Sequence, residues 1–262
     1  MGTEIARLDL QNRRRSTIGY AAGMALYMLV IVALYPAFKH STGLDKLITD
    51  NPQIAAMFGV TGSVSSPAGW VDANAYTNFL PLIMLLLTIG YGAAAIAGQD
   101  EDGTLGLLVT LPLPRREILV QKIWAMIVQA LVLTITVTAC VYVGRAFDVT
   151  LDPWHVATAS LAVLALGVDF GLIALALAAA TRSRGTAIGI ATALAAASYL
   201  LSSLAPVVHW LRPLRFASLF YWADGNHQLS QGSSLASFAA LVGVGIAAAL
   251  AAIQAFRQFD AR

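Results

Sequence analysis

Six stretches of this chain run for about 20 residues or more with almost no charge: Ser16 to Phe38, Asn78 to Gly98, Ile123 to Gly144, Trp154 to Ala180, Gly185 to Ala205 and Leu235 to Phe256. A helix needs about 20 apolar residues to cross a hydrocarbon layer roughly 30 Å thick. Inside that layer each backbone polar group has to be satisfied within its own segment. The sequence therefore predicts an all-α membrane protein with six transmembrane helices. The strands of a barrel would alternate apolar and polar residues instead. Charged residues make up 11% of the chain, against roughly 25% in a soluble domain, and the mean hydropathy is +0.72, so a bilayer is the natural solvent. The longest interruption, Lys39 to Thr77, is too short to build a sizeable core. Residues 1–262 are accordingly read as a single transmembrane domain, and nothing supports a nucleic-acid role.

The distribution of basic residues sets an orientation. With the N-terminus in the cytoplasm, the inner segments hold Arg7, Arg13, Arg14, Arg15, Arg115, Arg116, Lys122, Arg182, Arg184, Arg257 and Arg262, eleven of the sixteen Lys and Arg. The outer segments hold Lys39, Lys46, Arg145, Arg212 and Arg215. The positive-inside bias thus favours cytoplasmic termini, in keeping with an even number of spans. Trp70, Tyr76, Trp154, Trp210, Tyr221 and Trp222 fall at the outer ends and Trp124 at an inner end, where amphipathic rings anchor at headgroup level. The run after Arg15 is too long for a signal-peptide core and lacks a cleavage site, so it reads as an uncleaved first span. Cys140 is the only cysteine and forms no intrachain disulfide.

The inner loop Gln99 to Lys122 is unusually apolar for a loop. Asp100, Glu101 and Asp102 mark the exit of the second span, Thr104 to Leu111 is a short apolar segment with helix potential, and Pro112 stops it. Pro114 suits a first helical position, with Glu117 in the first turn of the next helix. A short apolar helix on the cytoplasmic side either folds back on the membrane surface or docks in a partner's groove. The acids have an equally plain reading as a solvated helix end.

The pattern Glu101-Asp102-Gly103-Thr104-Leu105, then Leu107-Leu108-Val109-Thr110-Leu111-Pro112, then Arg115-Arg116 and Lys122, resembles the permeases of the ABC-2 transporter family. The six-span layout with both ends inside is similar as well. By that resemblance the loop contains a coupling helix, and Glu101, Asp102, Gly103, Thr104, Leu105, Leu107, Leu108, Leu111, Arg115 and Arg116 would contact a separate ATP-binding subunit. Gly106 departs from the pattern, standing where many relatives carry a second acid, which leaves Glu101 and Asp102 as the acidic candidates.

Thr3 to Arg15 can form a short helix in which Ile5, Leu8 and Leu10 alternate with Glu4, Arg7, Asp9 and the three arginines. It would lie flat on the inner surface. The resemblance implies a connecting helix that touches the ATPase; Arg13 to Arg15 also fit a plain retention anchor. Pro206 to Ser234 is too apolar for a free loop and reads as a re-entrant outer hairpin. The resemblance implies such an element, with Pro213, Arg215, Ser218 and Tyr221 in it. Its basic residues, and His209 and His227, either meet a substrate or snorkel to phosphates.

Asp169 is the one acid near the middle of a span, and a charge there costs at least about 2.5 kcal/mol, so it has to be partnered, protonated or wetted. At 100° per residue, Gly167 and Gly171 share one face of the helix, and Asp169 projects from roughly the opposite side. It is either a functional acid on the substrate path or a structural hydrogen-bond partner. Spans five and six carry small residues, Ala187, Gly189, Ala191, Ala195, Gly243, Gly245, Ala247 and Ala251, that let helices approach closely.

The three lysines are Lys39, Lys46 and Lys122, and none follows a Gly-rich phosphate loop. The four histidines have no metal-ligand spacing, and no His-Glu-x-x-His or Gly-x-Ser-x-Gly sequence occurs. The expectation is a transport subunit with no catalytic residues, metal or bound cofactor of its own. Its resemblance implies ATP and magnesium on two copies of a partner ATPase, a second permease chain as homodimer or heterodimer, and export; an apolar path with Asp169 as its lone acid points to a hydrophobic or amphiphilic cargo such as a drug, antibiotic or lipid-like molecule. Ala- and Gly-rich usage points to a high-GC bacterium, and the expected location is its inner (plasma) membrane. The rival readings are a proton-coupled carrier using Asp169 and an intramembrane enzyme or passive scaffold; charged relays, or polar groups converging from several spans, would favour those.

Overall fold

The structure is a computed structural model that describes residues 4–39, 50–51, 63, 65–104, 114–206, 208–225, 228–232 and 234–257. Among these residues every regular element is helical. The main elements are α1 (Glu4–Phe38), α2 (Pro67–Val71), α3 (Phe79–Ala93), α4 (Gln99–Glu101), α5 (Arg115–Val143), α6 (Pro153–Thr181), α7 (Arg184–Leu204), α8 (Leu219–Asp224), α9 (Gln228–Gln231) and α10 (Leu235–Arg257). Turns of π-helix, Asp72–Tyr76 and Ala94–Gly98, lie on either side of α3, so that Pro67–Glu101 is nearly continuous. Six helices are long and apolar enough to cross a membrane, at the positions read from hydropathy.

The first helix differs from expectation. Residues 4–15 are helical, but they are not a separate element: α1 runs unbroken for 35 residues, about 52 Å at 1.5 Å per residue, well beyond a hydrocarbon layer of roughly 30 Å. No proline or glycine lies between Glu4 and Ile18 to stop the helix. Of its expected apolar residues, Ile5 is buried and Leu10 partly buried against the core, beside the buried Ala6 and Asp9, whereas Leu8 is half exposed.

Helix starts and stops follow local chemistry. Asp152 caps α6 through the backbone N–H groups of Trp154 and His155, ahead of Pro153. Arg182, in left-handed conformation, ends α6, and Ser183 at once caps α7 through the Thr186 N–H. The reversal between these spans is thus built into two residues. Pro114 takes the N-cap of α5 instead of the first helical position expected for it, with Glu117 in the first turn.

α6 lies at the centre, packed against α3, α5, α7, α8, α9 and α10, while α1 packs mainly on α5. Its contact with α3 is close because both helices present glycine: a Cβ on Gly92 would lie 2.2 Å from the carbonyl oxygen of Gly171. On α7, Ala187, Ala191, Ala195 and Ser198 form the buried stripe, and Ile190, Leu194 and Leu200 point outward. Outward rows such as Leu26 on α1 and Leu250 on α10, 68% and 61% exposed, suit lipid or a neighbouring chain.

Two of the expected interfacial aromatics serve the interior instead. Trp70 donates its indole N–H to the carbonyl of Ile31 (2.9 Å), and Tyr76 exchanges a hydrogen bond with Ser160 (2.8 Å); both rings are buried. The apolar stretch around them folds back onto α1 and α6, which hydropathy cannot reveal. Trp154 and Trp210 are exposed, as an anchoring role requires.

Candidate functional site

The helices alternate in direction, and their basic ends gather together. There the N-terminal turns of α1 meet the second span and the start of α5, Glu101 at the end of the second span meets the start of α7, and Arg115 of α5 meets the last turn of α10. Gln121 accepts the backbone N–H groups of Ile5 (3.0 Å) and Ala6 (3.3 Å), two of the donors that the first turn of α1 leaves open. One turn further on, Asp9 is buried. Its Oδ2 accepts from the Tyr91 hydroxyl (2.7 Å) and from the Lys122 ammonium (3.4 Å), and Lys122 also donates to Gln99 Oε1 (2.7 Å). The Arg13 guanidinium lies over the Tyr91 ring, 4.7 Å from its centroid. Lys122 is fully buried, and removing one partner from such a pair costs about 3–5 kcal/mol.

These contacts enclose the base of the inner loop. Gln99 precedes it and Lys122 follows it; the Gln99 carbonyl also accepts both the backbone N–H (2.9 Å) and hydroxyl (3.2 Å) of Thr104. Glu101 Oε1 accepts the backbone N–H of Arg184 (2.9 Å), joining the loop to the first turn of α7. Glu101, Asp102, Gly103 and Thr104 are exposed, and Gly103 adopts a positive φ of 70° that suits a residue without Cβ. Arg116 is exposed, and Arg115 donates to the Arg257 carbonyl (3.3 Å) at the end of α10. Leu105, Leu107, Leu108 and Leu111, with the rest of the expected coupling helix, lie outside the described residues.

Asp169 is buried in the middle of α6. The sequence reading of its helix face holds geometrically: Gly167 and Gly171 turn toward Met84 and Thr88 of α3, and Asp169 turns toward α10. A Cβ on Gly245 would stand 2.5 Å from Asp169 Oδ1, so the glycine leaves the carboxyl its space. Among the described residues its buried Oδ2 has no hydrogen-bond partner, so no described Ser, Thr or Tyr satisfies that atom.

At the opposite end, Ser198 Oγ lies 3.0 Å from Ser218 Oγ, and Ser218 donates to the Ser198 carbonyl (2.6 Å) while capping α8. Pro213 is exposed in a 3₁₀ segment, His209–Ala217, and the Arg215 guanidinium lies about 5 Å from the Phe216 and Tyr221 rings. These four residues of the expected outer element therefore sit close together in sequence and space. An exposed ion pair, Lys39 to Asp148 (2.8 Å), links the first and third spans there; it holds the Asp148 carboxyl below the usual carboxylate range and raises Lys39. Between α3 and α7 opens a cavity of about 590 Å³, lined by Leu82, Leu86, Ile89 and Phe220 with Asn78 and Tyr199 near one end. The Tyr199 hydroxyl donates to Asn78 Oδ1 (3.0 Å).

Residues 3–261, nearly the whole chain, match the family described as ABC-2 family transporter protein. The chain belongs to the ABC-2 transporter family. A 69-residue stretch is 46% identical to a protein of Stutzerimonas stutzeri named "Probable ABC transporter permease protein NosY". That stretch covers 26% of this chain and 24% of the relative. The chain is thus a multi-pass membrane protein, with six helices long and apolar enough to cross a membrane among the described residues. Sequence reasoning missed the cluster around Asp9 and Lys122. A signal was present: Lys122 follows Ile118 by four residues and Leu119 by three, and Asp9 follows Ile5 by four, so both share helix faces with buried apolar residues.

Proposed function

We propose that this ABC-2 protein is the membrane-spanning permease of an ATP-driven exporter, energised by a separate ATP-binding subunit that docks on the loop between the second and third spans. The observation that carries this reading is the base of that loop. Its two ends are bonded to each other and to α1, with Glu101 on α7, so a push on the loop reaches four spans: the two it joins, α1 and α7. The chain itself has no lysine in a Gly-rich phosphate loop, so ATP and magnesium would reside on the partner, in two copies facing two permease chains. On this reading the basic end faces the cytoplasm of a bacterium and both termini lie inside.

The cargo we infer is a hydrophobic or amphiphilic small molecule moving outward. The cavity between α3 and α7 supports this: it is mostly apolar, has polar groups at one end and falls within the size range of small-molecule sites. The segment from Pro206 to Ser234 would dip into the outer leaflet above it.

The test is whether a neighbouring gene encodes a Walker A ATPase that co-purifies with the chain, followed by reconstitution of the two. Leu108→Asp is expected to abolish permease-dependent ATP hydrolysis while the chain still inserts; unchanged coupling would remove the docking claim. A second reading, proton-coupled transport through Asp169, draws support from the partnerless Oδ2 of that residue. It requires that the permease alone move cargo down a pH gradient and that Asp169→Asn stop it.

A further inference from the structure

A buried ion pair is a poor source of stability, since well-packed apolar residues of similar volume do as well or better. The one at the basic end is nevertheless built from separate parts of the chain: Asp9 from α1, Gln99 from the end of the second span, and Lys122 from the start of the third. Lys122 is fully buried, seven residues inside α5, with its ammonium directed to both acceptors. Tyr91 supplies Asp9 with a further donor, and Arg13 covers the Tyr91 ring. Next to Lys122, Gln121 accepts the first N–H groups of α1, and two turns later along α5 Gln129 accepts from the Thr17 hydroxyl (3.3 Å). So α1 is fastened to α5 along its whole basic half, with the charged contact at the level of the loop's base. Fixing geometry, which polar clusters do by requiring one arrangement, explains this better than stability does.

We propose that Lys122 is a positioning residue: a buried clasp that closes the base of the 102–114 segment and joins it to α1, so that displacement of the loop by the ATPase moves the first span as well. The transmission part of this inference rests on the proposed docking of an ATPase; the clasp itself does not.

The experiment uses the full chain in lipid nanodiscs, alone and with its ATPase. Lys122→Met keeps an unbranched side chain one atom shorter and removes its charge. In the chain alone, this variant should raise cleavage after Arg115 and Arg116 by an arginine-specific protease about tenfold or more, because the base of the loop opens. Lys122→Arg should bring cleavage back toward the wild-type rate. In the complex, Lys122→Met should retain ATPase binding and lose permease-dependent ATP hydrolysis. Should Lys122→Met fail to insert, the exchange Asp9→Lys with Lys122→Asp takes its place, and restored insertion and coupling support the clasp.

Wild-type cleavage rates in Lys122→Met overturn the clasp. Faster cleavage with full coupling overturns its role in transmission. If neither Lys122→Met nor the exchange inserts, the cluster serves folding alone and the proposal falls. Failure of the wild-type chain to bind any ATPase defeats the proposed function, and transmission with it, whatever the cleavage rates.

Discussion

Gly92→Ala is the sharpest probe of how the two central helices are joined. The added methyl would lie 2.2 Å from the Gly171 carbonyl oxygen, 3.1 Å from the Leu175 nitrogen and 3.2 Å from the Gly171 carbonyl carbon. These are backbone atoms of α6, so no side-chain rotation relieves the overlap. Ordinary contact would require α3 and α6 to part by about 1 Å, which forfeits a quarter to a half of the dispersion energy at each contact along the crossing. Overpacking of this kind costs about 1–3 kcal/mol where side chains can yield, and a backbone clash belongs at the upper end. Alanine returns up to about 1 kcal/mol of helix propensity, leaving a net loss of about 2 kcal/mol or more. Gly90→Ala is the control on the same helix: nothing lies within 4 Å of its Cβ, so it collects the propensity gain alone and should equal or exceed wild type. Both are measured by SDS-induced unfolding in mixed micelles, followed by far-UV circular dichroism. Equal midpoints for the two variants would refute the close glycine crossing.

Two further outcomes are expected away from that crossing. Ser218→Ala removes the donor to the Ser198 carbonyl and the cap on the Tyr221 N–H, and the same SDS titration should report a loss of about 2 kcal/mol; an unchanged midpoint would mean that the outer segment is not tied to α7 in this way. Lys39 and Asp148 form an exposed pair with the carboxyl held low and the lysine raised. Any stability from a depressed carboxylate is present above its ordinary value of 3.8 and lost as pH falls through the lowered one; that from a raised lysine is present below 10.5 and lost as pH rises through the raised one. The pair therefore persists across neutral pH, Asp148→Asn should leave the unfolding midpoint there unchanged because exposed pairs contribute little, and carbon-13 NMR should find the Asp148 carboxyl titrating below 3.8. Titration at or above that value would show that the pair does not form.

The sequence by itself determined the six spans, because the solvent a segment requires depends on its own twenty or so residues. It also determined the alternation of direction that collects most of the arginines at one end, and the face on which Gly167 and Gly171 oppose Asp169, which follows from local spacing. Tertiary structure alone decided which polar groups meet. Asp9 finds Lys122 across 113 residues of chain, Trp70 turns inward to Ile31, and Asp169 faces a glycine on the last helix. Hydropathy averages a segment over all its faces, whereas these contacts depend on the rotation and depth of one helix against another, which are set by packing between segments far apart in sequence.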